Sequence, residues 1–284
     1  MTRLSIPFTK MSGSGNDFLV IDNRAGTIAE SEAGDLAALL CRHRLSVGAD
    51  GIVLISEPVS RVDGIAYRWR YVNADGSDGE LCGNGAICAA RFAVRSGIAP
   101  EHHRFETPSG IVEAWASADA TSAAIVIATP GPVERETTIE IEGHMLTCTR
   151  IVVGVPHVVI RTDDGDAFAD AERFARIGRT IRRHGAFAPQ GTNVNVVSPR
   201  EGGTWRMRTY ERGVEAETLA CGTGAVASAI VLANLGLAES PLAILTSGGG
   251  ALRVEFELAG TQASAVKLHG QAAVIYEGVL GPDA

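Results

Sequence analysis

One segment of the sequence occurs twice, and this repeat constrains the fold more than any other feature. CGNGAICAARFAVRSGI begins at Cys82, and CGTGAVASAIVLANLGL begins at Cys221, 139 residues later. Six of the 17 aligned positions are identical without a gap. A tyrosine, Tyr71 or Tyr210, precedes each cysteine by the same distance. Two copies of one supersecondary unit, a strand leading through a turn into a helix, are the simplest explanation.

The pattern of apolar and polar residues predicts four helices among a larger number of strands. Both repeat segments are rich in small apolar residues, and each ends before a glycine that suits a helix C-cap, Gly97 or Gly236. Helices that are apolar on nearly every side are usually buried, so we expect these two at the centre of the fold. The predicted helices are Glu32–Arg44, Gly83–Arg95, Asp170–Arg183 and Gly222–Leu235. The predicted strands are Phe18–Asp22, Gly51–Ile55, Ala66–Val72, Ile111–Trp115, Ala123–Ala128, Met145–Val153, Val158–Arg161, Val194–Val197, Trp205–Tyr210, Leu252–Leu258 and Ala273–Tyr276.

Length and charge limit the classes of function. The 284 residues give room for one large domain or two of ordinary size. A net charge of -8 disfavours nucleic acid or an anionic membrane as a partner, because both attract Lys and Arg. No apolar run reaches the roughly 18 residues that span a bilayer, and the N-terminus lacks a signal-peptide core. We therefore expect a cytoplasmic protein, with neither nucleic acid nor a membrane as its partner.

The five cysteines divide into two kinds. Their number is odd and no Cys-x-x-Cys pair occurs, so a disulfide framework is not expected. A single buried cysteine is more often a core residue than a catalyst, and we assign Cys41, Cys88 and Cys148 to the core. Cys82 and Cys221 differ, because both stand at a predicted helix start in the same Cys-Gly-x-Gly sequence. We expect these two to be functional.

A thiol at the start of a helix is activated by its surroundings. The first N–H groups of a helix have no partner within it, and they lie at the positive end of the helix dipole. They lower the thiol pKa from about 8.5 because they stabilise the thiolate, and they also bind a carboxylate. Glycine after the cysteine lets a ligand approach the backbone closely. Each segment therefore predicts a working thiol beside a carboxylate site.

Two such thiols suit the inversion of a stereocentre. That reaction needs a base on one face of a carbon, an acid on the other, and N–H donors for the charge that develops on a carboxylate. Most racemases of α-amino acids use pyridoxal phosphate, which needs a Schiff-base lysine. The only lysines, Lys10 and Lys267, have no phosphate-binding loop beside them, and no His-x-x-x-His spacing suggests zinc. We therefore expect direct proton transfer with neither cofactor nor metal.

Five segments together resemble the diaminopimelate epimerase family, nearly from end to end of the chain. The most specific are Asn-Ala-Asp-Gly-Ser leading into Cys-Gly-Asn-Gly, and Glu-Arg-Gly leading into Glu-Thr-Leu-Ala-Cys-Gly-Thr-Gly. The segments are KMSGSGNDFLVID (10–22), GADGIVL (48–54), YVNADGSDGELCGNGAICAARF (71–92), GTNVNVV (191–197) and YERGVEAETLACGTGA (210–225). A single Cys-Gly-x-Gly would be a weak signal, whereas this ordered set is specific.

The resemblance implies a reaction and its site residues. The reaction interconverts LL- and meso-2,6-diaminoheptanedioate, for lysine and peptidoglycan synthesis, without metal or cofactor. Cys221 is implied as the base that removes the α-proton of the LL form, and Cys82 as the acid on the opposite face. The residues implied for the carboxylate of the reacting centre are Gly83, Asn84, Gly222 and Thr223. The residues implied for the distal end of the substrate are Asn16, Asn73, Asn193 and Arg212. Glu211 and His157 are implied in tuning the thiols, and Glu211 is also implied in binding the substrate.

Several of these residues also have simpler explanations. Asparagine amides can donate to a carboxylate and accept from an ammonium group, but Asn73 also fits a turn in Asn-Ala-Asp-Gly. Arg212 can hold a carboxylate with two N–H groups, but it also fits a solvated surface charge. His157, beside a predicted strand, also fits a structural histidine. We expect the pair His102–His103 to lie in an exposed loop.

The resemblance also implies the architecture. The fold implied is mixed α+β, with two pseudo-symmetric lobes, each a mostly antiparallel sheet or barrel wrapped around a central helix, and a homodimer is usual. We place the boundary near the Pro130–Pro132 turn. The N-terminal lobe is then 1–129, with Cys82, and the C-terminal lobe is 130–271, with Cys221. We expect the tail, at about 272–284, to return to the N-terminal lobe.

Other functions remain open. Another two-thiol racemase or epimerase of the same superfamily, acting on a different amino acid, fits the same cysteines. Val155 favours it, because the family commonly has Gly-Asn-Pro-His where this chain has Gly-Val-Pro-His. A redox protein whose thiols join reversibly, and a binding protein without chemistry, are the alternatives from other classes.

Overall fold

The structure is a computed structural model that describes residues 6–60, 62–79, 82–163 and 170–281. The described residues form four α-helices and eighteen β-strands. The helices are α1 (Ala33–Leu40), α2 (Gly83–Arg95), α3 (Ala171–Arg182) and α4 (Gly222–Asn234). The strands are β1 (Pro7–Gly13), β2 (Asn16–Asp22), β3 (Gly51–Ser56), β4 (Ile65–Asn73), β5 (Asp78–Gly79), β6 (His102–Thr107), β7 (Gly110–Ala116), β8 (Ser122–Val126), β9 (Thr137–Ile141), β10 (His144–Val153), β11 (Val155–Arg161), β12 (Asn193–Pro199), β13 (Trp205–Glu211), β14 (Ala216–Thr218), β15 (Leu242–Leu245), β16 (Ala251–Ala259), β17 (Gln262–Gln271) and β18 (Ala273–Val279).

The first compact unit consists of Met1–Ile125 and His269–Ala284. Its strands pair in the order β18–β1–β2–β3–β4–β6–β7–β8, with β5 also paired to β4. Neighbouring strands are antiparallel except for β2–β3 and β4–β6. Successive side chains of a strand point to opposite faces, so Leu19 packs with Leu40 of α1 while Phe18 lies against Gly85 of α2. The sheet thus has a helix on each face.

The second compact unit is Val126–Leu268. Its strands pair in the order β9–β10–β11–β12–β13–β15–β16, with β14 also paired to β13. The parallel neighbours are β11–β12 and β13–β15. The apolar side of α3 packs on this sheet through Phe174, Ile177 and Ile181, which share a buried cluster with Val194 and Tyr210.

Each unit, taken by itself, has the same internal plan. An antiparallel pair is followed by a parallel neighbour, an antiparallel neighbour and a second parallel neighbour, with a helix after the second strand and another after the fourth. The starts of β2 and β11 are 139 residues apart, and so are those of α2 and α4. The repeat therefore extends well beyond the cysteine segments that revealed it.

The second helix of each unit lies at its centre. Every residue from Asn84 to Ala93 of α2 is buried, and α2 contacts β1, β2, β3, β4 and β7. In the other unit α4 is buried from Gly224 to Leu232 and contacts β10 to β13, β15 and β16. The predicted mixed α/β fold, with mostly antiparallel strands around central helices, is confirmed.

The predicted elements are present, but the sequence pattern missed several strands. All four helices and all eleven predicted strands have counterparts, and α2 has the predicted bounds. Helix α1 ends at Leu40 rather than Arg44, whose φ of 67° is left-handed and incompatible with a continuing helix. The strands that were not predicted are β1, β5, β6, β9, β14, β15 and β17.

His102 and His103 do not lie in a loop, so that expectation was wrong. They begin β6, in whose first four residues exposed and buried positions alternate. His103 is 5% exposed and its Nδ1 lies 2.8 Å from the carbonyl oxygen of Pro100, while the exposed His102 ring stacks on Trp115. Two adjacent histidines resemble a polar loop, although one of them can face the core when it finds a partner.

The predicted lobe boundaries, 129/130 and 271/272, lie a few residues from those of the compact units. Within the predicted tail, β18 pairs antiparallel with β1 of the first unit, and residues 282–284 lie outside the described part of the chain. In that described part, the helices are all too short or too polar to cross a membrane.

Candidate active site

The two cysteines of the repeated segment occupy the same position in their own units. Cys82 is the N-cap residue of α2, and Cys221 is the N-cap residue of α4. Both have an extended backbone, with φ and ψ of -99° and 109° at Cys82 and of -131° and 110° at Cys221. Their carbonyls accept the first helical hydrogen bonds, from Ala86 N at 2.8 Å and Ala225 N at 2.9 Å. The first N–H groups of each helix therefore have no partner in the helical ladder.

The surroundings of the Cys221 thiol are those of a helix cap. The Gly224 amide N–H donates to Sγ at 3.4 Å, and the Thr223 hydroxyl lies 3.6 Å from it. Cys221 is 6% exposed, whereas Cys82 is half-buried. Gly83 and Gly222, the first residues of the two helices, add no side chain beside either sulfur. Backbone N–H groups aimed at sulfur favour a thiolate over a thiol.

The second glycine of Cys-Gly-x-Gly has different roles in the two units. A Cβ at Gly224 would lie 2.4 Å from Asn195 Oδ1 and 3.2 Å from Cys221 Sγ. A Cβ at Gly85 would have its nearest neighbours, in Phe18 and Cys82, at 3.5 Å and 3.6 Å. The helix start at Cys221 therefore depends on glycine for a close approach, and the one at Cys82 does not.

In the first unit, a chain of amides connects the predicted binding residues. Asn16 Nδ2 donates to Asp50 Oδ2 at 2.9 Å, and Asn84 Nδ2 donates to Asn16 Oδ1 at 2.8 Å. A carboxylate can only accept, so Asp50 fixes the orientation of both amides. Asn84 is 2% exposed, and its Oδ1 has no hydrogen-bond partner among the described residues. This oxygen is an acceptor suited to a donor such as an ammonium group.

Asp50 itself is held by neighbours that sequence reasoning did not single out. Asp50 Oδ2 accepts from the Asp17 backbone N–H at 3.1 Å, and the Asp50 N–H donates to Asp17 Oδ1 at 3.0 Å. Lys10, which is 7% exposed, places Nζ 2.6 Å from Asp17 Oδ2. All three residues stand in the segments 10–22 and 48–54, so membership of those segments was the available signal.

The contacts of Asn73 are those of a turn residue, which was the simpler of its two explanations. Its Nδ2 donates to the Ser77 hydroxyl at 3.0 Å and to the Ser77 carbonyl at 3.3 Å. Its backbone also bonds Ser77, from N–H to carbonyl at 2.8 Å. These bonds occupy the amide nitrogen and hold the turn that leads towards α2.

In the second unit, Asn193 and Arg212 are in contact. Asn193 is 3% exposed, and its Oδ1 accepts from the Arg212 backbone N–H at 2.7 Å. Arg212 is half-buried, and its Nη1 lies 3.4 Å from the Gln190 carbonyl. Arg212 is therefore not simply a solvated surface charge, because its backbone and its side chain both contact other residues. Beside it, burial raises the pKa of the Glu211 carboxyl above its ordinary value.

His157 is fully buried within the same unit. Its Nδ1 lies 3.2 Å from Asn195 Nδ2, and the Thr209 hydroxyl donates to Asn195 Oδ1 at 3.0 Å. Burial, and then the positive charge of Arg212, lower the pKa of His157 from 6.5 to about 3. Asn195 and Thr209 were not predicted, although Asn195 belongs to the segment 191–197.

The other three cysteines are core residues, as predicted. Cys41 is 2% exposed, and Cys88 and Cys148 are completely buried. Burial raises the pKa of Cys41 to about 11 and that of Cys148 to about 12, so both stay protonated at neutral pH. In the portion that the structure describes, no group of three or more His, Cys, Asp or Glu side chains is arranged to hold a metal ion.

Solved structures define the class to which the fold belongs. A hydroxyproline epimerase from Agrobacterium vitis, with bound trans-4-hydroxy-L-proline, aligns with a TM-score of 0.70 at 16% identity, over 100% of this chain and 94% of that chain. A phenazine biosynthesis protein of the PhzF family from Bacillus anthracis aligns with a TM-score of 0.73 at 13% identity, over 98% and 99%. The chain thus has a fold that is also found in an amino-acid epimerase.

Sequence comparison identifies the family within that class. The model of the diaminopimelate epimerase family matches residues 8–135 and 149–273. A diaminopimelate epimerase of Aquifex aeolicus is 38% identical over 283 residues, which cover 97% of this chain and 98% of the relative. Another, of Methanocella arvoryzae, is 35% identical over 288 residues and 98% of each chain. The chain therefore belongs to the diaminopimelate epimerase family, whose members are isomerases, and the resemblance of its five segments is confirmed.

The contrast between the two second glycines is testable with a matched pair of variants. We expect Gly224→Ala to lower the free energy of unfolding by about 1–3 kcal/mol, because the added methyl group overlaps Asn195 and Cys221. Gly85→Ala, at the equivalent repeat position, should change it by less than about 1 kcal/mol. Urea unfolding measures both. Equal losses in the two variants would contradict this account.

His157 should remain neutral over the range in which other histidines titrate. Because its pKa is about 3, the imidazole of His157 stays neutral in the folded protein between about pH 5 and 9. The unfolded chain binds that proton near pH 6.5, so the contribution of His157 to stability is complete above pH 6.5 and falls as the pH drops from about 6.5 to 3. NMR titration of the imidazole tests the assignment, and an inflection of His157 near pH 6.5 would contradict it.

Proposed function

We propose that this chain epimerises LL-2,6-diaminoheptanedioate to the meso form by acid–base catalysis with two cysteines and no cofactor. The proposal rests chiefly on one observation, that Cys82 and Cys221 are both N-cap residues of the central helix of their repeat unit. Equivalent thiols in equivalent positions suit a reaction that needs two equivalent groups on opposite faces of one carbon.

The proton inventory of the proposed reaction balances without a further reactant. The thiolate of Cys221 removes the α-proton of the LL substrate and becomes a thiol. The electron pair left on carbon is delocalised into the adjoining carboxylate, where helix N–H groups stabilise the added charge. The thiol of Cys82 then delivers its own proton to the opposite face and becomes a thiolate. The reverse reaction exchanges the two roles, and each turnover leaves one thiol and one thiolate.

The binding residues proposed for the reacting centre are the first residues of the two helices. N–H groups of Gly83 and Asn84 in one unit, and of Gly222 and Thr223 in the other, are proposed to bind the carboxylate. Gly83 and Gly222 also leave room for the ligand because neither has a side chain.

The distal end of the substrate carries a second ammonium and a second carboxylate, and we propose polar residues of both kinds for it. The amides of Asn16, Asn73 and Asn193 offer acceptors and donors, and the Arg212 guanidinium offers paired N–H groups for the carboxylate. Glu211, half-buried and with a raised pKa, is proposed to influence the thiols and to help hold the substrate. This set is rich enough in polar groups to select a substrate that is charged at both ends.

Val155 favours a second candidate, an epimerase of the same superfamily with another amino-acid substrate. Val155 is the first residue of β11, and Asn16 is the first residue of β2, the equivalent strand of the other unit. One repeat therefore has an amide at this position and the other has an apolar side chain. A shorter or less polar substrate would need fewer hydrogen bonds here, which is why Val155 favours this candidate.

Two further features belong to the proposal. We place the enzyme in the cytoplasm, because an acid–base thiol pair must stay reduced. We also propose a homodimer that covers the outer face of β18, where Ile275 is 56% exposed and Val279 is 57% exposed. Both are large apolar side chains that a partner would bury.

Replacing either cysteine tests the mechanism. We expect Cys82→Ala and Cys221→Ala to lower the epimerisation kcat by about 10²- to 10⁴-fold, because each removes one proton carrier. Cys→Ser variants should also be slow, because a hydroxyl is a much weaker acid than a thiol. Cys148→Ala, which removes a buried core thiol, is the control and should retain activity. Full activity in either Cys82→Ala or Cys221→Ala would contradict the mechanism. So would activity that appears only when the two thiols are oxidised.

A substrate panel tests the choice of amino acid. In heavy water, the enzyme should incorporate deuterium at the α-carbon of diaminopimelate faster than at that of proline, hydroxyproline, glutamate or lysine. NMR or mass spectrometry of the recovered amino acids measures this incorporation. Exchange into another amino acid but not into diaminopimelate would favour the second candidate.

The oligomeric state tests the proposed dimer. Light scattering should give the mass of two chains for the native protein and of one chain for Ile275→Lys, because a charge on the outer face of β18 opposes burial. Leu45→Lys, at a position that is 76% exposed, is the control and should remain dimeric. A native protein with the mass of one chain would refute the dimer.

A further inference from the structure

Two polar residues of the second unit, Asn195 and Thr209, contact the buried His157 or its partner and have no role in the function proposed above. Asn195 and His157 are completely buried, and Thr209 is 2% exposed. The three side chains form a continuous hydrogen-bonded chain, from Thr209 Oγ1 to Asn195 Oδ1 at 3.0 Å and from Asn195 Nδ2 to His157 Nδ1 at 3.2 Å. A buried polar chain of this kind fixes side-chain orientation when all its members are satisfied.

The direction of the hydrogen bonds in this chain follows from a backbone carbonyl. The Asn195 side chain also lies 3.1 Å from the Val158 carbonyl oxygen, through the atom that faces His157. A carbonyl oxygen can only accept, so the atom facing it must be the amide nitrogen, Nδ2. The Asn195 oxygen then faces the Thr209 hydroxyl, which can donate to it. The orientation of the amide is therefore determined by its contacts.

The same reasoning fixes the tautomer of His157. Both N–H bonds of Asn195 Nδ2 are then donated, one to the Val158 carbonyl and one to His157 Nδ1. His157 Nδ1 must accept, so the single proton of the neutral ring is on Nε2. His157 Nε2 is buried and has no hydrogen-bond partner among the described residues. The ring therefore presents an N–H donor that no described residue accepts from.

We infer that Asn195, held by Thr209, is a positioning residue that keeps His157 in the neutral Nε2–H tautomer, as a permanent hydrogen-bond donor to an anionic atom of the reacting complex. This inference rests on the function proposed above for the identity of that complex. The anionic atom is of the carboxylate class, because that group gains negative charge when the α-proton leaves. A donor that cannot lose or gain a proton keeps the same strength throughout the reaction.

The location of Asn195 connects this chain with the start of α4. A Cβ at Gly224 would lie 2.4 Å from Asn195 Oδ1, and the Gly224 N–H donates to Cys221 Sγ. Asn195 therefore packs against the same helix turn that caps the Cys221 thiol. In the inferred mechanism the thiols transfer protons, whereas His157 donates a hydrogen bond and transfers no proton.

The tautomer can be read directly by NMR. In the native protein without substrate, ¹⁵N spectra of the imidazole should show the proton of His157 on Nε2 and none on Nδ1. Asn195→Asp replaces the donor with a group that only accepts, so at about pH 9 the proton should move to Nδ1. Thr209→Val removes the hydroxyl but keeps the Val158 contact of Asn195, so the Nε2–H form should persist.

Kinetics test whether the tautomer matters. Asn195→Asp should lower the epimerisation kcat on the order of 10²-fold with a smaller change in KM, because the lost donor acts mainly on developing charge. Asn234→Asp adds the same charge to the same unit at the end of α4 and should leave kcat unchanged. A residue with only a structural role would affect stability without moving the proton of His157.

The possible results separate a failure of this inference from a failure of the proposed function. A native spectrum with the proton on Nδ1, or an Asn195→Asp variant whose proton stays on Nε2 alone, overturns the inference, and the first needs no variant that might misfold. A moved proton with unchanged kcat also overturns it. A native Nε2–H spectrum in a protein that epimerises no amino acid would leave the tautomer correct and refute the proposed function instead.

Discussion

A helix made of small apolar residues lies buried against the strands of each unit, and the start of this helix is the constraint on which the other features depend. Burial of α2 and α4 on every side leaves their first N–H groups as the polar end of an apolar element. Those groups must be satisfied by a side chain, water or ligand. At α4 the Cys221 thiol meets this requirement partly by accepting from the Gly224 N–H, and in the proposed function the carboxylate of the substrate meets the rest.

The two units share the buried start of the central helix and differ in the residues around it. At equivalent positions of β2 and β11, the first unit has Phe18 and the second has His157, and both are buried. Beside the cysteine, the first unit has an amide chain anchored on Asp50, and the second has one anchored on the Val158 carbonyl. A repeat gives similar backbones, whereas a substrate that extends to one side of its reacting carbon favours different polar groups in each copy.

Much of this could be predicted from the sequence, for physical reasons. The bounds of α2 and the N-cap position of both cysteines follow from local chemistry, in glycines, small residues and helix caps. Strands such as β1 and β6 were missed because polar residues are buried in them, Lys10 in β1 and His103 and Glu106 in β6, and these interrupt the apolar pattern of a strand. Asp50 and Asn195 were missed because their roles come from atoms that only the fold brings within 3.2 Å.

The central claim is that two different thiols exchange protons with one carbon. Deuterium in the earliest turnovers tests this directly, because an acid that differs from the base delivers solvent deuterium only to the product. Starting from protiated LL substrate in heavy water, the account predicts deuterium in the meso product and none in the LL substrate that remains at low conversion. Deuterium appearing equally in the remaining substrate, or original hydrogen retained in the product, would show a single shuttling base and contradict it.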